Sequence, residues 1–436
     1  MVTYQRARGA LVANPYGQAS CVPVSGLMPS QGARATLDAM RRTHRIAASC
    51  TLAIVLSLPL FLSAASSQAA TPAPAVTAAV TDVHLTLPRP TGPHAVGLST
   101  LDLVDTHRQD PWVPSAGPRR LMVSVFYPAR PGTGAPAPYM TAEEAALLLQ
   151  KQAPGAGLPP GTLSGTRSWA RTGARPAPGR FPLVVLSPGF TLPRTTLTSL
   201  AEDLASRGYV VALVNHTYED SGTTFPDGRT LACTICDTLP PGGWVAVNES
   251  RAEDVSFVID ELTGRHSPWP YHRTIDRNRI GMAGHSGGGS AAASAMAADR
   301  RVRAGVDMDG TFDVRPPAAG VGVRPFLLLG TEVGHAPGKD TSWDQAWADL
   351  GGWKRWLTVA GAVHFNFTDL PVLASQVGIP LPGETIAAER AAAITRAYVG
   401  AFFDLQLKGI PQPLLDAPSR AYPEVTFQHP YDAVGD

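Results

Sequence analysis

The chain of 436 residues is poor in lysine, in cysteine and in charge of either sign. Arginine outnumbers lysine 32 to 4, and charged residues make up only 16% of the whole. Six arginines (Arg6, Arg8, Arg34, Arg41, Arg42 and Arg45) fall within residues 1–69 against one acid, Asp38. The other 30 basic and 34 acidic residues leave a mildly acidic body of net −4. Such a body offers no basic stripe, which excludes nucleic acid as a partner. The arginine excess, with abundant Ala, Gly and Pro, reads as coding bias rather than a binding signal.

Of four cysteines, only Cys233 and Cys236 lie outside the first 50 residues. Two cysteines cannot build the usual four-ligand structural zinc site. A thioredoxin-like redox pair would stand at a helix start in a βαβ unit, whereas "CTIC" lies in a loop. A local disulfide pinning that loop is the expectation.

Long apolar runs are scarce too. The one that stands out, "IAASCTLAIVLSLPLFL" (46–62), is too short and too interrupted by Pro59 to make a comfortable membrane span. With "MRRTHR" (40–45) before it and "SAASSQAA" (63–70) after it, the run has the form of a signal peptide, Ser67 and Ala69 standing at −3 and −1. Cys50 starts the run instead of following it, so a lipoprotein anchor is not expected. The expected organisation is an N-terminal extension (1–39) upstream of a start at Met40, a signal peptide (40–69), a linker (70–84) and one catalytic domain (85–436), secreted after cleavage.

That domain alternates apolar runs with helical stretches. Strands are expected at 121–128, 181–188, 209–215, 279–284, 302–310, 324–330 and 354–361, and helices at 195–208, 246–264, 286–298 and 384–409. The alternation predicts an α/β fold with a mostly parallel central sheet flanked by helices. No internal repeat is present. A Gly/Pro-rich insertion (131–180) with one helical piece at 141–152 is read as either a cover for the site or surface decoration.

The chemistry gathers at "GMAGHSGGGSAAASA" (281–295). Gly284-His285-Ser286-Gly287-Gly288 has the form G-x-S-x-G between an expected strand and an expected helix, the setting of a nucleophile elbow. Gly284 and Gly288 are expected where a side chain would strike a neighbouring strand or helix. A serine hydroxyl needs a base, and His364 in "AGAVHFNFTD" is the candidate. The base needs an acid to hold its tautomer. Asp309 ends the strand after the nucleophile helix, and Glu332 ends the next one; spacing leaves the two open. Asp307 is expected to face elsewhere. Backbone N–H groups of Phe190, in "LSPGFTLPR", and Gly287 are placed to hold an oxyanion. His216 is read as structural, and Trp343, Trp347, Trp353 and Trp356 as packing under the loops. Arg251 and Asp254 read as an exposed or half-buried helix pair.

At "PTGPHAVG" (90–97), "VSVFYPA" (123–129), "PLVVLSPGF" (182–190), "DLASRGYVVALVNH" (203–216), "GHSGGG" (284–289), "AGVDMDG" (304–310) and above all "GAVHFNFTD" (361–369), the chain resembles the platelet-activating factor acetylhydrolase family. The resemblance spans residues 90–428. It implies the α/β-hydrolase fold, places the acid at Asp309 instead of Glu332, and matches Phe190 and Gly287 as oxyanion donors. Pro188 departs from the family, which usually has histidine before that glycine. The implied activity is cofactor- and metal-free hydrolysis of short or oxidised sn-2 acyl esters of phospholipids through acyl-Ser286, with at most transient contact with a lipid surface. A triacylglycerol lipase or cutinase-like polyesterase is the alternative, and a non-catalytic binding protein on the same scaffold the remote one. N-terminal sequencing of the exported protein should begin at Ala70; a start at residue 1 would refute the cleavage.

Overall fold

The computed structural model describes residues 84–314 and 318–428. The expected extension, the signal peptide and all but the last residue of the linker lie outside the described residues. In chain order the strands are β1 (Ala95–Gln109), β2 (Pro118–Ala129), β3 (Ala135–Pro136), β4 (Arg171–Thr172), β5 (Phe181–Ser187), β6 (Val210–Asn215), β7 (Thr223–Thr224), β8 (Thr230–Leu231), β9 (Ile275–His285), β10 (Val302–Met308), β11 (Phe326–Thr331), β12 (Lys354–Val359) and β13 (Val425–Phe427). Eleven of them form one sheet in the order β13-β12-β11-β10-β9-β5-β6-β2-β1-β4-β3, with β7 and β8 a separate small pair.

The six strands from β6 to β12 in that order pair in parallel; at the flanks β2 pairs antiparallel with β6, β1 antiparallel with β2, and β13 antiparallel with β12. Parallel strands need helical crossovers, which cover both faces, so their residues are buried on both sides. β5, β6 and β11 are accordingly near-continuous apolar runs. One face packs Val185, Ala212 and Met282 under Val255, Val258, Ile259 and Leu262 of the helix Gly243–Thr263. The other packs Val184, Leu186 and Leu213 under Leu200 and Leu204 of the helix Thr198–Ser206 and Phe402 and Phe403 of the helix Ala388–Lys408. This is the α/β-hydrolase fold, with the central strands and helices where expected, give or take a few residues at the ends.

The sequence reading missed β1. Its 15 residues are largely half-buried or exposed after Leu98, so no clean alternation marks it. The 131–180 insertion is not loose decoration. It adds β3 and β4 to one sheet edge, and its helix Ala142–Gln152 starts at a capping box between Thr141 and Glu144. Tyr139, Met140, Leu148 and Leu163 pack there on Leu192 and Leu373. Cys233 and Cys236 form the expected disulfide.

Arg251 and Asp254 correct the expectation of an exposed or half-buried pair: both are buried, and their partners come from elsewhere in the chain. Arg119 donates from Nη2 to Asp254 Oδ2 at 2.7 Å and from Nη1 to Asp110 Oδ2 at 2.9 Å. Arg251 Nε donates to Glu219 Oε2 at 2.7 Å. Arg108 also binds Asp254. Three arginines thus face three carboxylates with little access to water. Burial alone would raise the Asp254 carboxyl, but Arg119 and His216 outweigh it and hold it well below the usual range. Removing one partner of such a cluster leaves an uncompensated buried charge. Asp254→Ala should therefore cost about 3–5 kcal/mol, read from the urea midpoint; a loss under about 1 kcal/mol would show the cluster to be neutral to stability.

Candidate active site

β9 ends at His285 and a helix begins at Gly287, leaving Ser286 alone in the turn at φ 56°, ψ −125°. A non-glycine residue at positive φ stores strain, and here the surroundings enforce it. Ser286 N–H donates to Met308 O at 2.9 Å, tying the turn to β10. A Cβ at Gly284 would lie 2.1 Å from the Gly288 backbone, and one at Gly288 would lie 2.1 Å from Ser187 O of β5. The expected collisions are thus real, and they allow the helix to descend directly onto the sheet. Gly289 is equally constrained, since a Cβ there would stand 1.9 Å from Asp307 Oδ1.

The acid site lies one strand away. Asp309 follows β10 at φ 60°, which swings its carboxylate off the strand. Its Oδ2 accepts from His364 Nδ1 at 2.7 Å. Its Oδ1 accepts from Thr331 N at 2.6 Å and from His335 Nδ1 at 2.7 Å. Burial would raise this carboxyl, but the His335 and His364 hydrogen bonds outweigh it and hold the group far below its ordinary range. Glu332 is exposed at the start of a short helix, away from that cluster. The structure therefore brings His364 to Asp309 and not to its rival.

Asp307 was expected to face elsewhere, but strand alternation cannot be the cause, because strand residues two apart share a face. What separates them is the turn at Asp309. Asp307 stays buried, accepts from Gly310 N at 2.9 Å through Oδ1, and leaves Oδ2 without a hydrogen-bond partner. Burial, with Asp309 and Asp340 adding to it, pushes this carboxyl well above its ordinary value despite the opposing His335 and Gly310 contacts. Two carboxyls two residues apart are thereby driven to opposite protonation states, one an acid and one an anion.

The Phe190 nitrogen lies 3.8 Å from where a Gly287 side chain would begin, so the two expected oxyanion donors are neighbours. Gly287 opens its helix, where backbone N–H groups have no helical acceptor. The Phe190 ring meets Trp244 edge-on with centroids 4.9 Å apart. Pro188, the departure from the family pattern, is held through its carbonyl, which accepts from Arg251 Nη1 at 2.7 Å. Thr191, at φ 71°, closes the loop by donating its N–H to Glu219 O at 2.9 Å, and Gln152 of the insertion donates to Thr191 Oγ1 at 2.9 Å.

Two further histidines were not assigned site roles from sequence. His285 Nε2 donates to His364 O at 2.8 Å, with the rings 4.5 Å apart, so the residue before the serine braces the histidine loop. Burial, with His364 beside it, pushes His285 down to about 3 and keeps it neutral. His335 sits on Asp309, and its only local signal was its place three residues after Glu332. His216 is structural as read: buried between Ser187 Oγ and Asp254 Oδ2, each 2.9 Å from a ring nitrogen. Ser187, His216 and Asp254 imitate a triad, but Ser187 is fully buried. His216, Glu219 and Asp254 are spaced closely enough for a metal, yet Arg119 and Arg251 already neutralise the carboxylates. Trp343, Trp347 and Trp356 are buried under the loops, and Trp343 Nε1 donates to Gly310 O and Trp356 Nε1 to His335 O. Trp353 is half-buried.

The family model described as platelet-activating factor acetylhydrolase, isoform II, matches residues 80–232 and 269–395. The chain belongs to that family. It is 30% identical over 374 residues, 78% of its own length and 93% of the relative's, to a probable 1-alkyl-2-acetylglycerophosphocholine esterase of Arthroderma benhamiae. Over 224 residues, 45% of this chain and 50% of the relative, it is 25% identical to the platelet-activating factor acetylhydrolase of Bos taurus. Among solved structures, a ferulic acid esterase from Streptomyces cinnamoneus superposes with a TM-score of 0.70 at 46% identity, covering 79% of this chain and 99% of that one. The chain is a carboxylic ester hydrolase.

The two aspartates give a sharp test. Asp307→Asn mimics a protonated carboxyl and should keep kcat/KM within about fivefold, whereas Asp309→Asn should lose about 10⁴-fold. Equal losses would refute the assignment.

Proposed function

We propose that this chain is an exported serine esterase that transfers the acyl group of its substrate to Ser286. The observation that carries the reading is the Asp309–His364 hydrogen bond, made beside a strained serine turn whose N–H is tied to Met308, the residue before that acid. His364 takes the serine proton as Oγ attacks the ester carbonyl. The Phe190 and Gly287 N–H groups receive the charge that forms on the carbonyl oxygen. His364 then gives its proton to the departing alcohol, and Asp309 stabilises the imidazolium in between. Water activated by His364 releases the acid and restores the serine. The signal-peptide pattern at 40–69 and the Cys233–Cys236 disulfide both support export.

The substrate we propose is a phospholipid with a short or oxidised sn-2 acyl chain, supported by the family and by the Arthroderma benhamiae relative. An aromatic acyl ester is the second reading. It is favoured by the 46% identity to the ferulic acid esterase and by the Phe190–Trp244 pair beside the oxyanion donors, which offers aromatic edges to a planar acyl group.

A fluorophosphonate should label the protein at Ser286, and Ser286→Ala and His364→Ala should each lose at least about 10⁴-fold in kcat while remaining folded. An active, folded Ser286→Ala variant would refute the mechanism. For the substrate, kcat/KM should be compared on an sn-2 acetyl phosphatidylcholine, its long-chain equivalent, methyl ferulate and a triacylglycerol. Preference for the acetyl phospholipid is expected. Preference for methyl ferulate would move the assignment to aromatic esters, and preference for the triacylglycerol to the lipases.

A further inference from the structure

The acid of a serine triad normally serves one histidine, but Asp309 serves two. His364 takes Oδ2 and His335 takes Oδ1, each through Nδ1 at 2.7 Å. On its far side, His335 Nε2 lies 3.4 Å from Asp340 Oδ2, a charge contact rather than an aligned hydrogen bond. Both ring nitrogens of His335 therefore face carboxylate oxygens, which only accept. That arrangement fits an imidazolium and repels a neutral ring, whose bare nitrogen would point a lone pair at an anion.

The residue is held there on every side. Its ring lies against Trp343, tilted by 37° with centroids 4.2 Å apart, and its carbonyl accepts from Trp356 Nε1 at 2.7 Å. Asp340 is fixed by Thr311 Oγ1 at 2.7 Å and by Ser342 N at 2.8 Å. The charged or titratable groups facing His335 are Asp309 and Asp307 at the end of β10 and Asp340 ahead of the helix Thr341–Asp349. Those facing His364 are Asp309 and His285.

We propose that His335 is a positioning residue for the reaction: its imidazolium clamps one oxygen of Asp309, aims the other at His364, and offsets part of the negative charge that His364 feels. The inference rests on the acyl-transfer reading of Ser286. Burial disfavours the charge, but Asp309 and Asp340 outweigh burial and push the His335 imidazole up to about 10. Its folded value thus lies above its unfolded one. The stability it contributes is fully present below about pH 6.5 and is lost as pH rises through about 10.

The consequence for catalysis has a definite sign. With a cation on the far side of Asp309, the net negative charge that the acid presents to its other partner is smaller. Take the cation away and the carboxylate's whole charge acts on the catalytic base, which moves the acid limb of the rate profile to higher pH.

His335→Asn tests this, because its side-chain amide can replace Nδ1–H on Asp309 without the charge. The acid limb of the kcat/KM profile should move to higher pH by on the order of one unit, so that the variant's deficit deepens as pH falls. An unmoved acid limb, with or without a uniform loss of kcat, would overturn the proposal and leave His335 a structural prop.

A second measurement needs no variant. Ring-¹⁵N spectra of the native protein at pH 8.5 should show one histidine protonated on both nitrogens. A spectrum of neutral rings alone would overturn the proposal even if His335→Asn failed to fold. Failure of the fluorophosphonate to label Ser286 would sink the acyl-transfer reading instead, and the doubly protonated ring would still be found or not on its own terms.

Discussion

Everything at the site turns on keeping one buried carboxylate charged. Asp309 has almost no access to water, and an anion there is costly unless its oxygens are hydrogen-bonded. The bonds come from three separate pieces of chain: Thr331 at the end of β11, His335 in the short helix after it, and His364 in the loop after β12. They converge because β10, β11 and β12 run in parallel with Met308 beside Leu329 and Thr331 beside Val359. The carboxylate is thus a readout of sheet register. A slip of one residue between neighbouring strands would carry Thr331 N–H and the histidine-bearing loops away from the carboxylate.

On the other side of Ser286 the problem is reversed. On the proposed mechanism the loop from Pro188 to Arg194 must present a backbone N–H, and backbone has no side chain by which to aim it. The protein aims it by fixing the neighbours. Arg251 holds the Pro188 carbonyl, Glu219 holds Arg251 and also receives Thr191, and Gln152 reaches in from the insertion. The cluster of three arginines and three carboxylates behind that loop is expensive to bury. Its return is positional, because the planar guanidinium fork of Arg251 sets direction as well as distance.

The parts legible in the sequence were those where chemistry restricts residue type at close spacing. Gly284, Ser286 and Gly288 announce a turn because only small residues clear Ser187 and one another. β5, β6 and β11 announce themselves because burial on both faces leaves polar residues only at their ends. The illegible parts depend on partners far apart in the chain. Arg119 meets Asp254 across 135 positions and Arg251 meets Glu219 across 32, and no local pattern in the helix Gly243–Thr263 distinguishes that pairing from a solvated one. His335 was invisible for the same reason: a lone histidine beside a rival acid carries no signal until the fold sets it against Asp309. The Asp307 and Asp309 pair needed a backbone angle, φ 60° at the second, that spacing does not encode.

The division of labour between sheet and loops bears on specificity. Bond cleavage depends on strand ends, which are buried and register-locked, and so ester hydrolysis follows from the family alone. If Phe190 holds the oxyanion as proposed, substrate choice falls to what stands around it: Trp244, the insertion with Gln152, and the segment from His216 to Cys236 that carries Glu219 and the disulfide. These are not independent of the machinery. Glu219 belongs both to the ion cluster and to the anchor of the oxyanion loop, so a change in the 216–236 segment that fits a new alcohol or acyl group also pulls on the Phe190 N–H. On the proposed mechanism, a change of substrate in this chain must therefore leave the Glu219–Arg251 contact in place. This constraint ties specificity to turnover more closely than a detachable lid would.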